Sequence, residues 1–397
     1  MNLRTSLKGS VNDSIKLNIK LNVRQYTMFV ALLFIWLIFT VVTKGLFITS
    51  RNLSNLFIQM CTTGIMACGM VLVMVAGHID LSVGSVAGTL GAIAAALMAK
   101  CGVSPILAIA ITLITGLLIG TWHGFWIAYR GVPAFIVTLS SMTAFKGVTL
   151  AVTNGATIGE FSNLFKSLGQ GYIPKIIPNA EFNDTSALIG IISIILFIIF
   201  DFRKRNTRKK YGFEVATIPI QILRIVFVSV AIALVSSIMV NYRGIPIAVL
   251  ILIGIILIYT FITNKTTFGR HVYAIGGNKE AAKLSGINVK KTELLIYASM
   301  GLLTALAAIV FTARLNAATP GAGNLFELDA IASCIIGGTS TMGGKGTIIG
   351  AIIGALVMAS IDNGMSLMNV NIMYQYMIKG LILLLAVWVD FATKKRA

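Results

Sequence analysis

The chain is a succession of apolar runs, each close to the length that crosses a bilayer. A hydrocarbon core takes about 20 residues of helix. Runs of that order cover 28–47, 56–76, 83–99, 105–128 and 133–152. After a polar interval come 186–202, 219–240, 246–262 and 294–313, then a short run at 330–337, then 348–368 and 373–391. With 57% hydrophobic and only 11% charged residues, no stretch is polar enough to be a soluble domain. The pattern predicts an all-α, polytopic transmembrane helical bundle of about 10–12 spans, with broken and short helices among them.

The formal net charge is +19. In a soluble chain that balance points to nucleic acid. Here the cations cluster between apolar runs, and no basic-plus-aromatic surface motif accompanies them, so nucleic acid is not an expected partner. The clusters are Arg4, Lys8, Lys16, Lys20 and Arg24; the run 203–210; Lys265, Arg270, Lys279, Lys283, Lys290 and Lys291; and Lys394, Lys395 and Arg396. Threading the runs from an inside N-terminus puts all four on the cytoplasmic side. The expected organisation is a cytoplasmic arm at 1–26, one transmembrane domain at 27–393 and a cytoplasmic tail at 394–397. Within the domain, 154–185 is an outer loop, 203–218 a basic cytoplasmic loop and 265–292 a second cytoplasmic loop. The first run lacks a small-x-small cleavage site and reads as a retained span. Cys61, Cys68, Cys101 and Cys334 lie in or beside apolar runs with no CxxC pair, so they read as small core residues rather than disulfides or metal ligands.

Three polar features interrupt the pattern. The first is Gly77-His78-Ile79-Asp80-Leu81-Ser82, with almost no room for a loop. Asp80 is placed to cap the next helix through its carboxylate. Two readings stand: a structural cap at a helix break, or a polar surface on a transport path or ion site. His78 has no metal partner in sequence. The second feature is 337–347, which contains Gly337, Gly338, Thr339 and Ser340. It looks like a phosphate loop and fails as one. The first glycine of that motif would fall on Thr339, and Gly346 follows Lys345 where Ser or Thr is needed. No nucleotide, other cofactor or metal is therefore expected on this chain. The segment is either a tight turn or irregular backbone lining a cavity. No HExxH or GxSxG is present to support a membrane enzyme.

The third feature surrounds Asn278. Asn278 can N-cap a short helix at 279–285, and Gly286 can end it. Ala281, Ala282 and Leu284 give that helix a small apolar face, with Glu280 and Lys283 spaced i,i+3 on its flank and Lys279 and Ser285 at its ends. So short a helix is marginal alone. It makes sense as a docking element; the other reading is a connecting loop. Gly116, Gly120 and Gly124, and later Gly346, Gly350 and Gly354, repeat every fourth residue, which lets helix backbones touch in lipid. The two series would also suit corresponding helices of two structural halves. Lys146 and Lys379 are expected to face a partner or to snorkel, and Asp362-Asn363-Gly364 to end a helix at the outer surface.

Several stretches together carry a resemblance. They are 77–85 (Gly-His-Ile-Asp-Leu-Ser-Val-Gly-Ser), 132–139 (Val-Pro-Ala-Phe-Ile-Val-Thr-Leu), 241–246 (Asn-Tyr-Arg-Gly-Ile-Pro), 269–278, 281–289, 336–340 and 379–388. In that order the chain resembles, over nearly its whole length, the membrane permeases of bacterial sugar ABC importers in the ribose/xylose/galactose group. The basic insert 203–214 is similar to one in the xylose members. The resemblance implies a non-enzymatic subunit of the bacterial inner membrane that moves a monosaccharide, D-xylose or a related sugar, toward the cytoplasm. It implies three partners: a second permease copy, a periplasmic sugar-binding protein and a separate ATPase that carries the Mg-ATP. It also implies that the loop around 268–289 holds the coupling helix. The family pattern at 77–78 is usually Gly-Gly or a residue followed by Glu; Gly77-His78 departs from it and leaves Asp80 as the acid of that stretch. The alternative function is an ion-coupled secondary transporter with Asp80 as the coupling site.

Overall fold

The computed structural model describes residues 28, 30–177, 180–213, 215 and 217–394. The arm 1–26 and all but the first residue of the tail 394–397 lie outside them. Among the described residues nine helices are long and apolar enough to cross a membrane: α2 (Ser50–Val75), α4 (Pro105–Ala128), α5 (Ala134–Thr153), α7 (Asp184–Lys210), α8 (Ile218–Val240), α9 (Ile247–Lys265), α12 (Val289–Leu315), α14 (Ile348–Leu367) and α15 (Ile372–Lys394). Two shorter apolar helices, α1 (Val30–Val42) and α3 (Val83–Ala99), bring the total into the expected range. The remaining helices are α6 (Asn163–Gln170), α10 (Thr267–Gly277), α11 (Lys279–Leu284) and α13 (Phe326–Ile336).

An apolar helix buries its surface either in protein or in lipid. α2 does so in protein and is the central post, packed by α9, α12, α13 and α14. The peripheral helices instead expose large apolar side chains, among them Leu118, Trp122, Leu223 and Trp388. In water that surface would drive aggregation; in a bilayer it faces lipid.

The first glycine series, and Gly350 and Gly354 of the second, do the packing expected of them; Gly346 lies ahead of α14 and packs on Thr339 and Val75 instead. α4 lies on α12 so closely that a Cβ on Gly120 would collide with the Tyr297 carbonyl, and one on Gly301 with the Gly116 carbonyl. α14 lies on α13 in the same way, Gly350 against Gly337 and Gly354 against Ser333.

Hydrogen bonds identify the two ends of the bundle. At one end Asn183 Nδ2 donates to the carbonyls of Ile173 and Arg243 (2.9 and 3.1 Å), and Gln170 Nε2 to that of Arg314 (2.8 Å). There β1 (Ile158–Gly159) also pairs antiparallel with β2 (Ala317–Ala318). At the other end the Gly344 N–H donates to the Val75 carbonyl (2.8 Å), and Tyr273 Oη to the Gly346 carbonyl (2.7 Å). The basic segments 203–210 and 265–291 and the close of α15 belong to this second end, and 154–185 belongs to the first. One crossing is made by a half-helix. α13 spans only about 16 Å at 1.5 Å per residue. It begins beside the start of α3, where a Cβ on Gly84 would strike Glu327 and the Gly323 carbonyl. The chain has therefore re-entered the bundle by 319–325 before α13 begins.

Four expectations are corrected. The 203–218 segment is not a loop throughout: α7 runs unbroken to Lys210, since Lys and Arg propagate a helix readily. The 154–185 interval is structured, with α6 and β1 inside it. Asp362-Asn363-Gly364 does not end α14, which continues to Leu367. Cys101 is exposed at the end of α3, whereas Cys61, Cys68 and Cys334 are buried.

Candidate functional site

α2 ends at Val75, and Gly77 turns the chain with φ +86°, a left-handed angle glycine adopts without cost to a Cβ. Residues 79–82 then run without helix back into the bundle. Asp80 is 2% exposed. Its Oδ1 accepts the Ser82 N–H (2.8 Å) and the Ser82 hydroxyl (2.6 Å). Ser82 is the N-cap residue of α3, and it makes no side-chain capping hydrogen bond. Asp80 therefore closes a local turn one step ahead of the helix, a correction to its expected role as the cap. His123 Nε2 and the Tyr297 hydroxyl are buried without a hydrogen-bond partner among the described residues.

Just before this turn, His78 Nε2 lies 3.2 Å from Glu293 Oε1, in the first turns of α12. The same oxygen accepts from Lys279 Nζ at 2.7 Å. Glu293 is 2% exposed. One buried carboxylate thus ties the helix break after α2 to the start of α11. Sequence reasoning did not single out Glu293. Its signal was available: the only acid in the opening turns of an apolar span, two residues after Lys291.

α11 forms as its capping residues dictate. Asn278 Oδ1 accepts the Ala281 N–H (3.0 Å), and Gly286 leaves the helix with φ +83°. The face expected to be shared by Ala281, Ala282 and Leu284 is split. Ala282 is buried against Ile275 and Val289, whereas Ala281 is exposed and Leu284 is 88% exposed. Glu280 and Lys283 also face outward. α10, absent from the sequence reading, precedes α11 and is capped by the Thr266 hydroxyl (3.2 Å to the Gly269 N–H).

The segment 337–347 folds onto the same end. Gly337 and Gly338 close α13, and the Ser340 N–H donates to the Lys345 carbonyl (2.8 Å) to close a tight turn. Thr339 and Ser340 are buried, and Thr341 bonds Asp390 of α15 (3.1 Å). Gly276 is pressed against the Val75 carbonyl and the Gly344 N–H, where a Cβ has no room. The three polar segments 77–82, 268–289 and 337–347, far apart in sequence, therefore meet at one end of the bundle.

Two further polar groupings complete the picture. Lys379 of α15 pairs with Asp329 of α13 (3.0 Å) and Asp362 of α14 (2.8 Å). Lys379 thus turns inward to two acids, which corrects the expectation that it snorkels or awaits a partner. At the opposite end lies a polar cavity of about 290 Å³, lined by Asn55, Gln59, Gln170, Tyr172, Arg243 and Arg314 among others.

The comparisons with known proteins follow the same outline. Residues 52–387 match the family model described as branched-chain amino acid transport system / permease component. The chain is 45% identical to the xylose transport system permease protein of Escherichia coli K12, covering 94% of this chain and 93% of that one. It is 43% identical to the corresponding Haemophilus influenzae protein, with 94% and 98% covered. The ribose import permease protein of Escherichia coli K12 is 35% identical, with 87% of each covered. No solved structure matches. The chain, a multi-pass bundle with one crossing made by a half-helix and matched over 94% of its length by a transport permease, belongs to the branched-chain amino acid transport system / permease component family.

Proposed function

We propose that this chain is the membrane path of an ATP-driven importer for a monosaccharide, D-xylose or a related pentose. The observation that carries the coupling part of the proposal is α11. It is a well-capped helix with an exposed leucine, set on the same end as the basic segments and wired by Lys279 to Glu293 and His78. A six-residue helix has little stability of its own, so a cap, a buried alanine and an ion pair spent on it suit a surface that takes load. In this reading residues 278–286 receive a separate ATPase, which supplies Mg-ATP. Movement of α11 then reaches α12 and the 77–82 segment through Glu293, and the 343–344 turn through Gly276. The basic end is cytoplasmic by the charge bias, which places both termini inside. The polar cavity at the other end faces the periplasmic sugar-binding protein, and two copies of the chain enclose the path. The sugar assignment rests on the names of the relatives. Uptake of labelled D-xylose into vesicles holding the chain, with its ATPase and binding protein, is expected to require ATP and to survive a protonophore. Uptake that persists without ATP and collapses with the protonophore would support ion coupling at Asp80 instead.

A further inference from the structure

The basic helical extension of α7 has a shape that membrane orientation alone does not call for. Asp201, the last acid before the cations, is buried and accepts Gln221 Nε2 of α8 at 3.0 Å. Arg224 Nη1 lies 3.4 Å from the other oxygen of Asp201. Gln221 Oε1 in turn accepts Arg205 Nη1 at 2.7 Å. This relay fixes two guanidinium groups at the mouth of a small pocket of about 120 Å³ between α7 and α8. Lys204 and Arg208 line the same pocket, exposed and with no ion pair among the described residues. Among the described residues four cations thus line a pocket with one carboxylate, which the relay already engages. The relay holds Arg205 and Arg224 in place, and Lys204 and Arg208 add positive charge at the same opening.

Its position selects the ligand. The pocket sits where the apolar stretch of α7 gives way to charge, so it lies at a membrane boundary. Beside it Phe200 and Phe202 on α7, and Leu223 on α8, are exposed. Among the described residues α7 packs chiefly on α8, which leaves this apolar surface open to acyl chains. Arginine forks match phosphate oxygens, and basic pockets between helices at this boundary suit anionic headgroups.

We propose that this pocket binds the phosphate of an anionic glycerophospholipid, with its acyl chains lying on the exposed faces of α7 and α8. The proposal does not depend on which substrate the chain transports. A juxtamembrane cation contributes about 1 kcal/mol toward an anionic lipid, and 1.4 kcal/mol is tenfold. Removing Lys204 and Arg208 together should therefore weaken binding about thirty-fold.

The test is native mass spectrometry of the purified full chain in mixtures of phosphatidylglycerol and phosphatidylcholine. The expected result is preferential retention of phosphatidylglycerol, lost in Lys204→Ala/Arg208→Ala and kept in the charge-conserving Lys204→Arg/Arg208→Lys, with thermal unfolding unchanged. Equal retention of the two lipids, or loss in the charge-conserving variant, would overturn it. Displacement of the lipid by millimolar glycerol phosphate would assign the site to soluble phosphates instead. An alanine variant that keeps its phosphatidylglycerol but no longer binds the ATPase would assign the cations to an acidic protein surface. Either of these two results also overturns the lipid site.

Discussion

Leu284→Ala separates docking from folding. The side chain is 88% exposed, so the chain's own packing gains almost nothing from it. Truncation to alanine removes three carbons. At about 0.8 kcal/mol per buried CH₂, full burial of those carbons in a partner's groove contributes about 2.4 kcal/mol. Scaled by the 88% that is exposed beforehand, about 2 kcal/mol remains. At 1.4 kcal/mol per decade, the ATPase should dock about thirty-fold more weakly. The assay is titration of the purified ATPase onto the chain in lipid nanodiscs, with thermal unfolding of the chain alone followed in parallel. Unfolding should move by less than about 0.5 kcal/mol, as for a surface substitution. Ala282→Leu is the complement. Ala282 is buried against Ile275 and Val289, so added bulk should cost the fold about 1–3 kcal/mol. Unchanged ATPase affinity in Leu284→Ala would refute α11 as the docking element.

Three further substitutions test the framework. Gly120→Val drives a side chain into the Tyr297 carbonyl; α4 and α12 must part, and folded yield in fluorescence-detected size-exclusion chromatography should fall sharply, while Gly147→Val, where a Cβ meets nothing within 4 Å, should not change it. Lys379→Met leaves Asp329 and Asp362 unpaired, at a cost of about 3–5 kcal/mol; adding Asp329→Asn and Asp362→Asn should restore the yield, and an undiminished yield in Lys379→Met alone would show that the pairing does not matter to the fold. Glu293→Gln should loosen α11, with faster hydrogen exchange of the 279–284 amides; because Lys279 is half-exposed, the Lys279–Glu293 coupling in a double-mutant cycle should be only about 0.5–1 kcal/mol.

The features set by local chemistry were legible in the sequence. Asn278 and Gly286 bracket a helix expected at 279–285 and found at 279–284, because a cap acts on amides two or three residues away. The fourfold glycine spacing announced close packing, because it is the repeat of a helix face. What the sequence left open is tertiary. No periodicity tells that Lys379 faces Asp329, 50 residues distant, or that Glu293 reaches both His78 and Lys279. The direction in which Ala282 and Leu284 point depends on where α11 rests against Ile275 and Val289, so composition joined a face that packing divides. The half-helix α13 was visible only as a short apolar run. Its polar first turn, with Glu327 and Asp329, is buried by α3 and by Lys379, and reads as loop in isolation. The 77–82, 268–289 and 337–347 segments were each noticed, and their meeting at one end emerged only from the fold.

The central claim is that an external ATPase moves this path by pushing on α11. The most direct measurement is the ratio of sugar transported to ATP hydrolysed in vesicles containing the permease, its ATPase and its binding protein. Wild type is compared with Glu293→Gln, in which the ATPase still docks on Leu284 but the buried link from Lys279 to the core is weakened. The account predicts continued hydrolysis with a reduced transport ratio. An unchanged ratio in a variant whose 279–284 amides have become exchange-labile would contradict it.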